Sequence, residues 1–121
     1  MAIRLLVVDD SALMRKHMRQ LFEAEGDFEL AFARNGREAL DQADAFRPDV
    51  VTLDVNMPEL DGLSCLEQLA RRGSEARVVM VSSLTEQGAA VTLRALELGA
   101  VDFVPKPDGT VSLSIDRIRP Q

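Results

Sequence analysis

Apolar runs alternate with helical stripes from the first residues of the chain onward. Residues 3–8 (IRLLVV) are apolar apart from Arg4 and show no strict alternation, which is how a strand buried on both faces of a parallel sheet reads. Ser11 is placed to cap the helix that follows, where Met14, Met18, Leu21 and Phe22 recur at one-face spacing. Gly26 is expected to end that helix. Phe28, Leu30 and Phe32 then alternate with Glu29, Ala31 and Ala33, predicting an edge strand exposed on one side. Asn35-Gly36 turns the chain into a short helix carrying Ala39, Leu40 and Ala43, closed by Pro48. Residues 50–53 form a second doubly buried strand. A third helix is expected over about 63–72, with Leu66, Leu69 and Ala70 inward. Residues 78–81 predict a fourth strand, 85–98 a fourth helix and 101–104 a fifth strand. Strands alternating with helices at this interval make a doubly wound α/β fold, a parallel sheet with right-handed crossovers.

The strand ends carry the chemistry. The third strand stops at Asp54, followed by a loop that Pro58 and Gly62 hold in turn conformations. An aspartate before a turn ordinarily ends a strand or caps a helix, but the first strand also runs straight into acids, Asp9 and Asp10. In an open α/β sheet, ligands sit beyond the carboxyl ends of the strands. Two parallel strands would therefore deliver three carboxylates to one edge, where like charges repel unless a cation offsets them. That arrangement implies a bound metal.

Charge and composition narrow the partners. With 121 residues the chain is one domain, able to bury roughly two thirds of its unfolded surface without staples. A net charge of -6 argues against nucleic acid as a direct partner, because phosphate contact favours clustered Lys and Arg. The single cysteine, Cys65, cannot form an internal disulfide and fits a reducing, cytoplasmic compartment. No signal peptide and no membrane-length apolar run is read in the sequence.

Two further residues fall at the same edge: Ser82, with Ser83 as a substitute, after the fourth strand, and Lys106 between Pro105 and Pro107 after the fifth. Each alone is ordinary, a helix-capping hydroxyl and a solvated amine. Together with the three acids they are what phosphoryl transfer to a carboxylate needs, namely a cation, an ammonium and a hydroxyl for the phosphoryl oxygens. Mg²⁺ suits the site better than Zn²⁺, since the ligands are oxygens and no Cys or second His accompanies them.

The acidic pair Asp9-Asp10, the stretch LDVNMPELDG around Asp54, Ser82 after VVMV and Lys106 in VPKP resemble the response-regulator receiver domain of two-component signalling over nearly the whole chain. The resemblance implies a flavodoxin-like, five-stranded parallel sheet in the order 2-1-3-4-5. Asp54 would accept a phosphoryl group from a phosphohistidine on a sensor kinase. Asp10 and Asp54 would ligate Mg²⁺ directly, with Asp9 nearby or through water and Asn56 giving its backbone carbonyl. Lys106 would contact the phosphoryl oxygens, Ser82 would move toward them, and Phe103 would be the aromatic that changes rotamer on activation.

The stretch MVSSLTEQGAAVTLRALELGAVDFVPKP, followed by DGTVSLSI, is similar to the receiver portion of the chemotaxis protein-glutamate methylesterases, the CheB family. That implies a CheA-like histidine kinase as donor and a C-terminal esterase domain, or another effector, as the regulated partner. Residues 1–108 are then the receiver and 109–121 the start of a linker or a truncated fifth helix. In 109–121, Val111, Leu113 and Ile115 alternate rather than following helical spacing, so the fifth helix is expected to be short or incomplete. The apolar surface this would leave favours self-association as a homodimer. In the fourth helix Ala89, Leu93 and Leu96 make one stripe and Val91, Ala95 and Leu98 another, which reads either as a well-buried helix or as a helix with one stripe meeting a partner, the output face that the resemblance implies.

The resemblance implies that the chain itself carries only phosphoacceptor and autodephosphorylation chemistry. A stand-alone single-domain regulator is the alternative. A Mg²⁺-dependent phosphohydrolase is a weaker rival, because Asn56 stands where its second aspartate would be. An FMN carrier is weaker still, since Asp9-Asp10-Ser11 would repel an uncompensated phosphate. His17 reads as a packing or surface histidine and Cys65 as core filling.

Overall fold

The computed structural model describes residues 2–54, 62–82 and 94–105. Eight elements follow in the order β1 (Ile3–Val8), α1 (Ala12–Glu25), β2 (Phe28–Ala33), α2 (Gly36–Phe46), β3 (Val50–Asp54), α3 (Gly62–Arg71), β4 (Arg77–Ser82) and β5 (Asp102–Pro105). The strands form one sheet in the order β2-β1-β3-β4-β5, and every neighbouring pair is parallel. This is the expected flavodoxin-like arrangement. Residues 94–97 are helical and 98 lies in the turn that follows, while residues 85–93 of the expected fourth helix and the whole of the expected fifth lie outside the described residues. No helix among the described residues is long and apolar enough to cross a membrane.

The doubly buried character of β1 and β3 follows from alternate side chains entering two cores. Leu6, Val8, Val51, Leu53, Val78 and Met80 pack with Ala39 and Leu40 of α2 and with Cys65, Leu66 and Leu69 of α3. Ile3, Leu5, Val7, Val50, Val79 and Val81 point the other way, onto Met18 and Phe22 of α1. At roughly 25 cal/mol per Å² of apolar surface, these two layers supply the main driving force for folding.

Helix α1 begins and ends where its sequence dictates. The Ser11 hydroxyl accepts from Met14 N at 3.2 Å, satisfying an amide that lacks a helical partner. At the other end Gly26 adopts a left-handed φ of 79°, which a residue with a Cβ reaches only with strain, and its amide donates to Glu23 O. Phe22 and Phe28 then meet edge to face at 5.0 Å, tying the helix end to β2.

Strand β2 corrects one expectation. It is the sheet edge and Glu29 is exposed as expected, but the same face is covered farther along: Ala33 is 1% exposed and Ala31 packs against the α2/α3 core. The reason is α2, which packs on β2 and β1 and covers Ala31 and Ala33. A second correction concerns α3, whose inward stripe is Cys65, Leu66 and Leu69, while Ala70 lies on the flank and is exposed. The Cys65 thiol donates to Gly36 O at 3.7 Å, joining α3 to the buried first residue of α2. His17 is exposed, as a surface histidine would be.

Candidate functional site

Parallel pairing brings the strand-end acids together. Val8 of β1 stands opposite Leu53 of β3, so the next residue on each strand, Asp9 and Asp54, arrives at the same edge. Asp9, Asp10 and Asp54 each offer a carboxylate oxygen, and these oxygens all lie within 4.8 Å of one another. Asp9 and Asp54 are each 3% exposed, whereas Asp10 is open to solvent. Two acids therefore form the floor of the cluster and one its mouth.

Local structure holds the Asp9 end in place. The Asp9 amide donates to Ala33 O at 3.0 Å, and its Oδ1 accepts from Ser11 N at 2.9 Å. Arg15, one turn into α1, donates from its guanidinium to the Asp9 carbonyl at 2.7 Å. The positive end of α1 faces the residues that carry the acids, which favours negative charge there.

Strand β4 ends one residue beyond the partner of Asp54: Asp54 pairs with Val81, and Ser82 pairs with Pro105 of β5. The backbone thus carries Ser82 to the acidic edge, and Lys106 follows Pro105 in sequence. Phe103 stands in β5 opposite Met80. Asn56 and Lys106 lie outside the described residues.

An all-carboxylate set of this kind fits a hard divalent cation, and neither His nor Cys belongs to the cluster. Two nearby groups escaped the sequence reading. Arg15 resembles any solvated cation on a helix, and its bond to a backbone carbonyl leaves no mark in the sequence. Thr52, two residues before Asp54, is 1% exposed, and its Oγ1 has no hydrogen-bond partner among the described residues. A hydroxyl amid Val50, Val51 and Leu53 was the visible signal for it.

The opposite edge of the sheet is built differently. Arg4 donates to Phe46 O from both Nε and Nη2, at 2.8 and 2.6 Å, and its guanidinium carbon sits 4.5 Å from the Phe46 ring centroid. Beside it a groove of about 770 Å³ opens at the amino ends of β3 and β4. Its charges oppose one another, as in the Arg72–Asp44 pair at 2.8 Å, and it lies far from the acids.

A parallel sheet of this order with three acids gathered at its carboxyl edge defines the receiver class of signalling domain. The family model of the response regulator receiver domain matches residues 5–115, and the chain belongs to that family. Within it, the chain is similar to the receiver parts of methylesterases. Protein-glutamate methylesterase/protein-glutamine glutaminase 3 of Rhodospirillum rubrum is 59% identical over 95% of this chain and 31% of its own length. Protein-glutamate methylesterase/protein-glutamine glutaminase of Thermotoga maritima is 45% identical over 98% of this chain and 35% of its own length. The chain therefore spans about a third of the length of these curated relatives.

Solved structures agree. The response regulator domain of Thermotoga maritima CheB superposes with a TM-score of 0.81 at 44% identity, covering 98% of this chain and 88% of that one. A chain of the CheX-CheY-BeF3-Mg²⁺ complex from Borrelia burgdorferi gives 0.89 at 31% identity, covering 98% of this chain and 90% of that one.

Proposed function

We propose that this receiver accepts a phosphoryl group on Asp54 from a phosphohistidine of a CheA-like histidine kinase and so controls a methylesterase domain. The observation that carries the reading is the meeting of Asp9, Asp10 and Asp54 within 4.8 Å at the carboxyl edge of the sheet. Asp9, Asp10, Asp54 and the Asn56 backbone carbonyl would hold Mg²⁺. When bound, that ion offsets the charge on the acids and on the incoming phosphoryl oxygens.

In the transfer, a carboxylate oxygen of Asp54 attacks phosphorus. A P–O bond forms as the P–N bond to the donor imidazole breaks, and the electron pair returns to the ring nitrogen. Lys106 and Ser82 take phosphoryl oxygens, the ammonium by charge and the hydroxyl by hydrogen bond. Water later cleaves the acyl phosphate and restores the carboxylate. The added charge, roughly one and a half to two units, shifts the population toward a state in which Ser82 and Phe103 have moved.

Residues 1–108 form the receiver in this reading and 109–121 lead into a linker or a fifth helix. The similarity to methylesterases supports an esterase domain as the regulated partner, in the cytoplasm. Leu96 at 46% exposure, beside Ala95 at 0%, supports the view that one stripe of the fourth helix faces the core and the other a partner.

The test is mass spectrometry of protein treated with acetyl phosphate and Mg²⁺. One phosphoryl group is expected on wild type and none on Asp54→Asn; retained labelling of the variant would place the acceptor elsewhere.

A further inference from the structure

We infer that Arg15 is a positioning residue for the acid cluster, holding the peptide that joins Asp9 to Asp10 so that both β1 acids can share one cation with Asp54. This rests on the reading of the cluster as a Mg²⁺ site. Asp9 is held by both its backbone and its side chain. Its amide is tied to Ala33 O at 3.0 Å and its Oδ1 to Ser11 N at 2.9 Å, which leaves the carbonyl to set the plane of the next peptide. That carbonyl is the atom Arg15 binds, at 2.7 Å and partly buried, with the shortness of a charge-assisted bond.

Asp10 depends on this bond more than Asp9 does. It is exposed, so its carboxylate reaches the cluster through the orientation of its backbone rather than through packing. The bonded oxygen is not one of the three clustered carboxylate oxygens, so this contact occupies none of the cation's ligands. Helix α1 makes the arrangement rigid: Arg15 N donates to Ser11 O at 3.0 Å, so the residue that caps the helix also anchors the base of the arginine.

Removing the guanidinium has two opposed effects. A positive charge near the site disappears, which by itself tightens cation binding, and the Asp9-Asp10 peptide loses its anchor, which weakens it. Positioning requires the second to dominate. The sign of the change in affinity therefore decides the matter.

The experiment is a Mg²⁺ titration of wild type, Arg15→Met and Arg15→Lys without phosphodonor, followed by calorimetry and by backbone amide NMR. Methionine is a good helix former, so α1 persists, and far-UV circular dichroism checks that it does. Arg15→Met is expected to bind Mg²⁺ roughly tenfold more weakly, in line with the loss of a group that orients a metal ligand, and to broaden the Asp10 amide signal. Arg15→Lys, which keeps a donor of similar reach, is expected to recover part of both. Unchanged or tighter binding by Arg15→Met, with a sharp Asp10 amide, overturns the role of Arg15 and leaves the phosphoacceptor reading standing. A wild type that gives no Mg²⁺ response overturns both.

Discussion

The amide of Ser11 donates to Oδ1 of Asp9 at 2.9 Å, while the hydroxyl of the same serine accepts from Met14 N. One residue thus closes the acidic loop with its backbone and starts α1 with its side chain. The two roles separate on mutation, because only the second needs a hydroxyl. Ser11→Ala is expected to lower stability by about 1 kcal/mol, and Ser11→Gly by a few tenths. Both should still be labelled by acetyl phosphate. Urea melts give the first quantity and mass spectrometry the second; loss of labelling in Ser11→Ala would mean that the hydroxyl serves the acids directly.

Thr52 lies one strand period before Asp54, between Val7 and Val79 in the sheet register, buried with a hydroxyl that has no partner among the described residues. A buried hydroxyl without a partner costs roughly 1 to 3 kcal/mol in lost hydration. Thr52→Val replaces it with a methyl group of similar volume and keeps the β-branched shape that suits a strand. The variant is expected to be more stable than wild type by about 1 kcal/mol in urea unfolding. A less stable Thr52→Val would show that the hydroxyl has a partner contributing to the fold.

Three carboxylate oxygens within 4.8 Å of one another offer ligands to a divalent cation, the role proposed for them above. An ion that binds only the folded protein raises its stability by mass action, about 2.7 kcal/mol at a hundred times the dissociation constant. Excess Mg²⁺ is therefore expected to raise the melting temperature, and a chelator to return it. Asp10→Asn should lose most of that increment. Without metal it should be more stable than metal-free wild type, because a like-charge contact has gone. The chain has no Trp or Tyr, so calorimetry or far-UV circular dichroism is the suitable readout. Equal Mg²⁺ increments in wild type and Asp10→Asn would remove Asp10 from the cation's ligands.

What could be read in the sequence divides along physical lines. The boundaries of α1 were legible because Ser11 and Gly26 each have one strongly preferred conformational task. The convergence of Asp9, Asp10 and Asp54 was legible because parallel strands necessarily end on one edge. The far face of β2 was misread because Ala31 and Ala33 look neutral in an alternating pattern. Only the packing of α2 covers them. Ala70 was misassigned because alanine on a helix flank carries no polar signal. Arg15 stayed hidden because its partner is a backbone carbonyl, a group every residue possesses.

Glu38 supplies a pH-dependent contribution with a definite sign. Its carboxylate accepts from Arg34 Nε at 3.0 Å, Nη2 at 2.7 Å and the Arg34 amide at 3.0 Å, while its own amide donates to Asn35 Oδ1. The hydrogen bonds from the Arg34 side chain, then that from its amide, hold the Glu38 carboxyl below its usual 4.5; the charge of Arg15 acts the same way more weakly. A depressed carboxyl stabilises the folded state fully above its unfolded value, and that stabilisation disappears as pH falls through the folded value. Glu38→Gln cannot ionise, so wild type should exceed it in stability near neutral pH, and the gap should close as pH falls below about 4.5. The pair lies at the surface, so added salt should narrow the gap as well. Urea midpoints of both proteins across this range provide the check. A gap that persists undiminished well below the usual carboxylate range would mean that Glu38 acts at the start of α2 through shape rather than charge.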